Sequence, residues 1–130
     1  MSGALAGKEA WMIYGIGIDI TEIARIEHAQ ASNPHFAGKV LTDRELAYYH
    51  DLPPERAAQW LAGRFSVKEA YAKAFGTGLG PVALHDVETL SDAAGRPVIT
   101  AHPYAGKAFV SISHTATLVM TEVILEAESE

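Results

Sequence analysis

The chain has 130 residues, of which 48% are hydrophobic, and this length is enough for one domain that buries a core of its own. Its formal net charge of −6 argues against a general affinity for nucleic acid or an anionic membrane, because both favour a basic face. The absence of cysteine excludes disulfides and thiolate metal sites, so carboxylates and histidines are the metal ligands that remain, a set that suits a hard cation such as Mg²⁺.

Residues 1–11 lack both the charged lead and the apolar core of a secretory signal. They are predicted to be a flexible leader or an expression remnant, with Met12 as an alternative start. A single domain is predicted over residues 12–130. No apolar run approaches the roughly 18 to 20 residues of a membrane span, so a cytoplasmic location is expected.

The first predicted element is a strand over residues 12–20, along which side chains point alternately to opposite faces. The larger side chains are predicted to form the core face: Tyr14, Ile16, Ile18 and Ile20. The side chains on the opposite face are small up to Asp19, where that face ends in a carboxylate. The alternate glycines on this face, Gly15 and Gly17, indicate that another segment approaches the backbone closely. The alternative is a glycine-rich edge strand that ends in a solvated aspartate.

Three helices are predicted next. The first has Thr21 as its cap and stops before Asn33. The second begins after Thr42, which fits a capping box with Glu45, and runs to about residue 50. The third is the longest and covers residues 54–75, with a proline at its first position.

The end of the long helix and four further strands complete the predicted fold. Gly76 is placed to end the long helix in a left-handed conformation. Two strands over residues 87–90 and 98–101 are predicted to pair through the turn between them. Two more strands are predicted over residues 108–113 and 118–125.

The long helix carries the first group of residues that suggests chemistry. Glu69 and Lys73 are four positions apart and share a helix face, although such a pair in isolation is usually a surface ion pair of small energy. Arg64 and Lys68 lie nearby, and the glycine-rich turn over residues 76–80 has backbone N–H groups of the kind that bind phosphate.

The C-terminal end of a helix disfavours phosphate binding, however, because the helix dipole is negative at that end. The basic side chains or a metal must therefore supply the attraction, and Glu69 with Asp19 is the predicted pair of metal ligands. A third group lies in the last pair of strands, where hydroxyl side chains surround His114. That histidine is either a phosphate partner or a half-buried ring bonded to a neighbouring carbonyl.

Three segments together, at residues 16–23, 65–78 and 110–115, resemble the holo-acyl-carrier-protein synthases of the 4′-phosphopantetheinyl transferase family in order and spacing. The similarity covers the chain from about Met12 to Glu126. It implies an α+β fold in which an antiparallel sheet wraps around a long central helix. It also implies a homotrimer whose active sites lie at the subunit interfaces.

The resemblance further implies Mg²⁺-dependent transfer of phosphopantetheine from coenzyme A to a serine of apo acyl carrier protein, with release of 3′,5′-ADP, in support of fatty acid biosynthesis. At the matching positions, Asp19 and Glu69 would hold Mg²⁺, and Lys73 would neutralise or protonate the leaving phosphate. The expected coenzyme A contacts are Arg64, Lys68, Gly76, Thr77, His114 and Thr115. A carboxylate of the metal site, acting directly or through a water, is the expected base.

One departure from the family pattern concerns partner docking. Members of this type often have a strongly basic first helix for the acidic carrier protein, whereas this chain keeps Arg25 and follows it mainly with acidic and neutral residues. Lys39 and Arg44 are possible additional contacts. Two other functions stay open from the sequence: a module that binds coenzyme A or a carrier without turnover, and a metal-dependent hydrolase of nucleotide pyrophosphates.

Overall fold

The structure is a computed structural model, and it describes residues 11–128. Its main sheet is antiparallel and has three strands in the order β1-β5-β4. Two further strands, β2 and β3, form a separate antiparallel hairpin. The strands are β1 (Trp11–Glu22), β2 (Glu88–Ser91), β3 (Pro97–Ala101), β4 (Lys107–His114) and β5 (Leu118–Glu128).

Four α-helices lie between β1 and the hairpin, and their bounds are α1 (Ile23–Ser32), α2 (Phe36–Val40), α3 (Asp43–His50) and α4 (Pro54–Phe75). A single 3-10 turn at Leu84–Asp86 precedes β2. The predicted α3 and α4 are confirmed, including the capping box of Thr42 with Glu45 and the left-handed Gly76, whose φ is 103°. Within residues 11–128, no helix is both long enough and apolar enough to cross a membrane.

The α4 helix packs along the inner face of the main sheet, and two glycines of β1 make this close approach possible. A Cβ atom added at Gly17 would lie 1.9 Å from the carbonyl oxygen of Ala70, and one at Gly15 would lie 1.9 Å from that of Ala74. Any side chain at either position would therefore push the strand away from the helix. The prediction of a close backbone approach is confirmed.

The predicted core face of β1 is wrong for the isolated chain. Ile16, Ile18 and Ile20 are 50–60% exposed, and Tyr14 is also exposed. The reason is that α4 occupies the glycine side of the strand, so the large side chains point to the opposite, outer face of the sheet. The alternation was correct, but size alone does not show which face the helix covers.

Thr21 does not cap α1, which is a second correction. The strand continues through Glu22, and α1 begins at Ile23 with no side-chain cap. The Thr21 hydroxyl instead donates a hydrogen bond to Oδ2 of Asp19 at 2.7 Å. Because both residues lie on the inner face of β1, the hydroxyl serves the aspartate and not the helix. The predicted leader lies outside the described residues, apart from Trp11, which already belongs to β1.

Candidate active site

Asp19 lies on the inner face of β1, opposite α4, and its carboxylate is tightly held. Its Oδ2 accepts hydrogen bonds from Thr21 Oγ1 at 2.7 Å and from Ser66 Oγ at 2.8 Å. Lys73 Nζ donates to the carbonyl oxygen of Ile18 at 3.0 Å and lies 3.4 Å from Asp19 Oδ1. Helix α4 and strand β1 thus bring together two of the predicted catalytic residues that are 54 positions apart.

Glu69 lies on the same side of α4 and is half-buried. Burial raises the pKa of its carboxyl, and the negative charge of Asp19 raises it further, whereas Lys73 and Arg25 lower it. The four groups are therefore within electrostatic reach of one another. The net effect on the pKa of Glu69 is upward, because burial and the charge of Asp19 together outweigh the two basic side chains.

This donor set fits a magnesium ion. Mg²⁺ in proteins is usually held by one or two carboxylates, with substrate phosphates and waters as its other ligands. No group of three or more acidic or histidine side chains that could hold a metal occurs among the described residues. Asp19 and Glu69 would therefore bind the ion as a pair and leave most of its ligand positions to phosphate oxygens and water.

A second feature is a cleft of about 490 Å³ between α4 and the ends of β4 and β5. Its polar lining comes from Arg56, Gln59, Trp60, Arg64 and His114. The Arg64 guanidinium lies 4.3 Å from the centre of the Trp60 ring, and its Nε donates to the carbonyl oxygen of Thr89 at 3.1 Å. The cleft thus combines an aromatic surface with several cationic or donor groups.

Arg64 is only 6% exposed, and burial lowers its pKa to about 10 although the charge of Glu45 opposes the shift. Among residues 11–128, its two terminal nitrogens have no hydrogen-bond partner, and Arg64 lines both this cleft and a second one bordered by Tyr48 and Leu90. A buried guanidinium with free donors favours an anionic ligand, because the ligand would supply the missing acceptors.

The predicted site residues fall into two separate groups within one chain. Asp19 pairs in register with Thr121 of the central strand, whereas His114 pairs with Val119, two residues further along that strand. Two strand spacings, or about 10 Å, also separate β1 from β4 across the sheet. The carboxylate pair and the cleft of His114 therefore face different stretches of α4.

Lys68, which is expected to contact coenzyme A, belongs to neither group within the chain. It is 1% exposed, and its Nζ donates to Glu45 Oε1 at 2.8 Å and to the carbonyl oxygen of Val87. Burial lowers its pKa, while Glu45 counteracts that effect. Its position on α4 points the ammonium group into the protein, so its role here is to tie α4 to α3 and to the start of the hairpin.

The glycine-rich turn is also less available than its sequence suggested. The backbone N–H groups of Gly76, Thr77 and Gly78 all donate to the carbonyl oxygen of Ala72, so they close the end of α4. The Thr77 hydroxyl donates to the carbonyl oxygen of Gly78 at 3.0 Å. Both Gly76 and Thr77 are exposed, and a ligand would have to meet their surface and not a ring of free N–H groups.

Thr115 likewise has a local role in the turn between β4 and β5. Its Oγ1 accepts from the backbone N–H groups of Thr117 and Leu118. The neighbouring His114 is exposed and has Nδ1 3.4 Å from the carbonyl oxygen of Thr115. The His114 ring is thus exposed and not half-buried, although it does contact the neighbouring carbonyl that the alternative expected.

Sequence reasoning missed several residues around these two groups, among them Ser66, Thr121, Arg56, Gln59 and Trp60. A signal for Ser66 existed, because it lies three positions before Glu69 and seven before Lys73, on the same helix face. Thr121 had no such signal, since only the register of β5 against β1 places it beside Asp19.

Comparison with known proteins decides the family. The model of the 4′-phosphopantetheinyl transferase superfamily matches residues 15–125. The chain belongs to this superfamily. Its match extends over both site groups, from the glycines of β1 into the central strand β5.

Individual relatives support the same family assignment. The holo-[acyl-carrier-protein] synthase of Lacticaseibacillus casei (strain BL23) is 62% identical over 117 residues, which are 90% of this chain and 94% of the relative. That of Limosilactobacillus reuteri (strain DSM 20016) is 51% identical over 120 residues, 92% of this chain and all of the relative. The resemblance to the holo-acyl-carrier-protein synthases is thereby confirmed.

A solved structure confirms the fold class as well. The holo-(acyl-carrier-protein) synthase of Bacillus anthracis, crystallised in complex with CoA (3′,5′-ADP), has a TM-score of 0.83 and 38% identity. The match covers 89% of this chain and 98% of that one. The transferase therefore has the predicted α+β fold, with its antiparallel sheet packed on the long helix α4.

Proposed function

We propose that the transferase moves the 4′-phosphopantetheine group of coenzyme A to a serine hydroxyl of apo acyl carrier protein, in a Mg²⁺-dependent reaction that releases 3′,5′-ADP. The observation that carries this proposal is the cluster of Asp19, Glu69 and Lys73, assembled from two elements within a chain of this family. Phosphoryl transfer needs charge neutralisation and alignment more than covalent catalysis, and this cluster offers both.

In the proposed reaction, the serine oxygen attacks the phosphorus next to the pantetheine, and the bond from that phosphorus to the oxygen of the leaving nucleotide phosphate breaks. Lys73 stabilises or protonates the leaving phosphate, for which its half-exposed ammonium group is suited. The serine proton passes to a carboxylate of the site, directly or through a water. A Mg²⁺ ion held by Asp19 and Glu69 would supply charge neutralisation at the pyrophosphate.

The cleft beside Arg64 is the proposed site for the nucleotide end of coenzyme A. Its free guanidinium donors, together with Arg56 and His114, are suited to phosphate, and the ring of Trp60 offers an apolar surface. Gly76, Thr77 and Thr115 stay in the proposal as surface contacts. Lys68 is removed from it, because its ammonium group is buried and already bonded.

The two site groups of one chain face different stretches of α4, which supports an active site shared between copies. We therefore propose a homotrimer in which the carboxylate pair of one subunit faces the cleft of its neighbour. The outer face of the main sheet is the proposed contact surface. Its exposed apolar side chains, which we call the outer apolar face, are Ile16, Ile18, Ile20, Phe109, Leu118 and Met120.

Arg25 stays the proposed docking residue for the carrier protein. It is exposed on α1, and its charge reaches Glu69, so a partner bound there would lie beside the carboxylate pair. The cytoplasmic location and the role in fatty acid biosynthesis are also parts of the proposal, and both rest on the family resemblance.

The test is incubation of the purified protein with Mg²⁺, coenzyme A and an apo acyl carrier protein. We expect the carrier to gain the mass of one phosphopantetheine group, with 3′,5′-ADP released in equal amount. Binding of coenzyme A without release would instead identify a non-catalytic module. Release of 3′,5′-ADP from coenzyme A without any carrier would identify a pyrophosphate hydrolase.

A further inference from the structure

Two hydroxyl side chains lie buried where α4 meets the central strand. Ser66 is fully buried and Thr121 is 1% exposed, and their oxygens are 2.7 Å apart. Val67, which follows Ser66, and Val123, which lies two residues after Thr121, both belong to the buried core. Buried hydroxyls stabilise nothing unless they are hydrogen-bonded, so their partners indicate what this pair does.

The protons of the two hydroxyls determine the direction of the hydrogen bonds. Each hydroxyl has one proton, and Ser66 Oγ lies 2.8 Å from Asp19 Oδ2. A carboxylate is a stronger acceptor than a neutral hydroxyl, so the proton of Ser66 goes to Asp19. The proton of Thr121 is then donated to Ser66 Oγ, which leaves each group in the chain from Thr121 through Ser66 to Asp19 bonded.

The hydroxyl hydrogen bonds go to only one of the two carboxylate oxygens of Asp19. Oδ2 accepts from Ser66 and, on its other side, from Thr21 Oγ1 at 2.7 Å. The nearest donor to Oδ1 is Lys73 Nζ at 3.4 Å, which is a weak contact. The carboxylate is therefore fixed with Oδ2 toward the protein and Oδ1 toward the half-exposed lysine.

We propose that Ser66, supported by Thr121, is a positioning residue that fixes the Asp19 carboxylate so that Oδ1 alone is presented to the cation and the phosphates. The inference rests on the proposed function, since it concerns how this chain holds its metal ligand. Groups that orient a metal ligand in this way typically change metal affinity or activity by about 10- to 100-fold when they are removed.

The test compares three variants, Ser66→Ala, Thr121→Val and the double variant, by direct binding of Mn²⁺ as the probe. Electron paramagnetic resonance measures free Mn²⁺ in the presence of coenzyme A and without a carrier, and thermal unfolding is followed in parallel. We expect Ser66→Ala to weaken Mn²⁺ binding at least about tenfold. Thr121→Val should weaken Mn²⁺ binding less than Ser66→Ala does, because Ser66 still donates to Asp19 although it has lost its own support.

The double variant separates positioning from stability. It leaves no buried hydroxyl without a partner, so its melting temperature should lie closer to that of the wild type than that of Ser66→Ala does. Its Mn²⁺ affinity should still be as weak as that of Ser66→Ala. Normal Mn²⁺ binding by Ser66→Ala, or by the double variant, would overturn the inference. Wild-type protein that binds no Mn²⁺ would instead overturn the metal assignment in the proposed function, and the inference with it.

Discussion

At the scale of single residues, Glu69 is a carboxylate whose charge the folded chain disfavours. Burial raises its pKa, and the charge of Asp19 adds to that effect. A group with a raised pKa in the folded state stabilises the protein below its unfolded pKa and loses that contribution as the pH rises through the folded value. At neutral pH, the ionised Glu69 therefore makes the metal-free protein less stable than it would be with a neutral side chain.

We expect Glu69→Gln to raise the melting temperature of the metal-free protein at pH 7. The difference should shrink as the pH falls through the raised pKa and should disappear below about 4.3, the ordinary value of glutamate. Calorimetry across this pH range, in the presence of a chelator, measures the effect. A variant that is less stable than the wild type at pH 7 would show that the Glu69 charge is already compensated within the chain.

Lys68 shows that the type of a residue and its place in the sequence do not alone predict whether it contacts a ligand. Its charge and its place beside Glu69 in the sequence suggested a ligand contact, but it is paired with the buried Glu45. The helix period separates adjacent residues by about 100° around the axis, so Lys68 and Glu69 cannot both face the site. Asp19, Glu69 and Lys73 were expected from spacing and resemblance, and Ser66 shares the helix face of the last two, whereas the position of Thr121 depends on a strand register that the sequence does not state.

Lys68→Met should destabilise the protein by about 3 to 5 kcal/mol, because it leaves the buried Glu45 carboxylate without its partner. Denaturant titration measures the loss. The double variant Glu45→Gln with Lys68→Met is the control and should recover much of it. Coenzyme A affinity of the folded Lys68→Met protein should stay within about threefold of the wild type, and a large loss of affinity at normal stability would restore Lys68 as a ligand contact.

At the scale of elements, the contact between β1 and α4 sets the geometry of the site. Asp19 comes from the strand, while Ser66, Glu69 and Lys73 come from the helix, so the distance between the two elements decides whether they meet. Gly17 sets that distance, because a Cβ there would lie 1.9 Å from a backbone oxygen of the helix. The two alternate glycines predicted this approach, but they did not predict that the outer side of β1 would be exposed.

Gly17→Ala should therefore cost more than about 4 kcal/mol of stability, since backbone atoms and not a flexible side chain stand in the way. Gly38→Ala is the matched control, because a Cβ there meets nothing and alanine favours the helix by up to about 1 kcal/mol. Thermal unfolding compares the two. A Gly17→Ala protein with normal stability would show that β1 can move away from α4 without loss.

At the scale of the whole molecule, the contacts within a single chain do not explain why the outer face of the main sheet, although exposed, is apolar. Aligned rows cross the three strands, such as Ile16, Ile124 and Phe109, and side chains of this kind are normally buried. An exposed apolar surface of this extent is typical of a protein interface. The sequence predicted the alternation of β1, but only the structure shows that α4 covers the face with the glycines and leaves the isoleucines exposed.

If the proposed trimer forms through this face, Ile16→Arg should yield monomers and abolish transfer, while circular dichroism of the variant stays that of a folded chain. Light scattering after size-exclusion chromatography measures the mass of the assembly. Val98→Arg is the control, because Val98 is also an exposed apolar strand residue but lies on the hairpin, away from the main sheet. An active, monomeric Ile16→Arg protein would refute the shared active site.

The central claim is that Asp19 and Glu69 act with Mg²⁺ and Lys73 to transfer phosphopantetheine. Its most direct test is mass spectrometry of an apo acyl carrier protein incubated with coenzyme A, Mg²⁺ and either the wild type or Glu69→Gln. The account predicts a phosphopantetheine adduct with the wild type, none when a chelator removes Mg²⁺, and a rate at least about 100-fold lower with the variant. Transfer by Glu69→Gln at the wild-type rate, or by the wild type in the presence of the chelator, would contradict it.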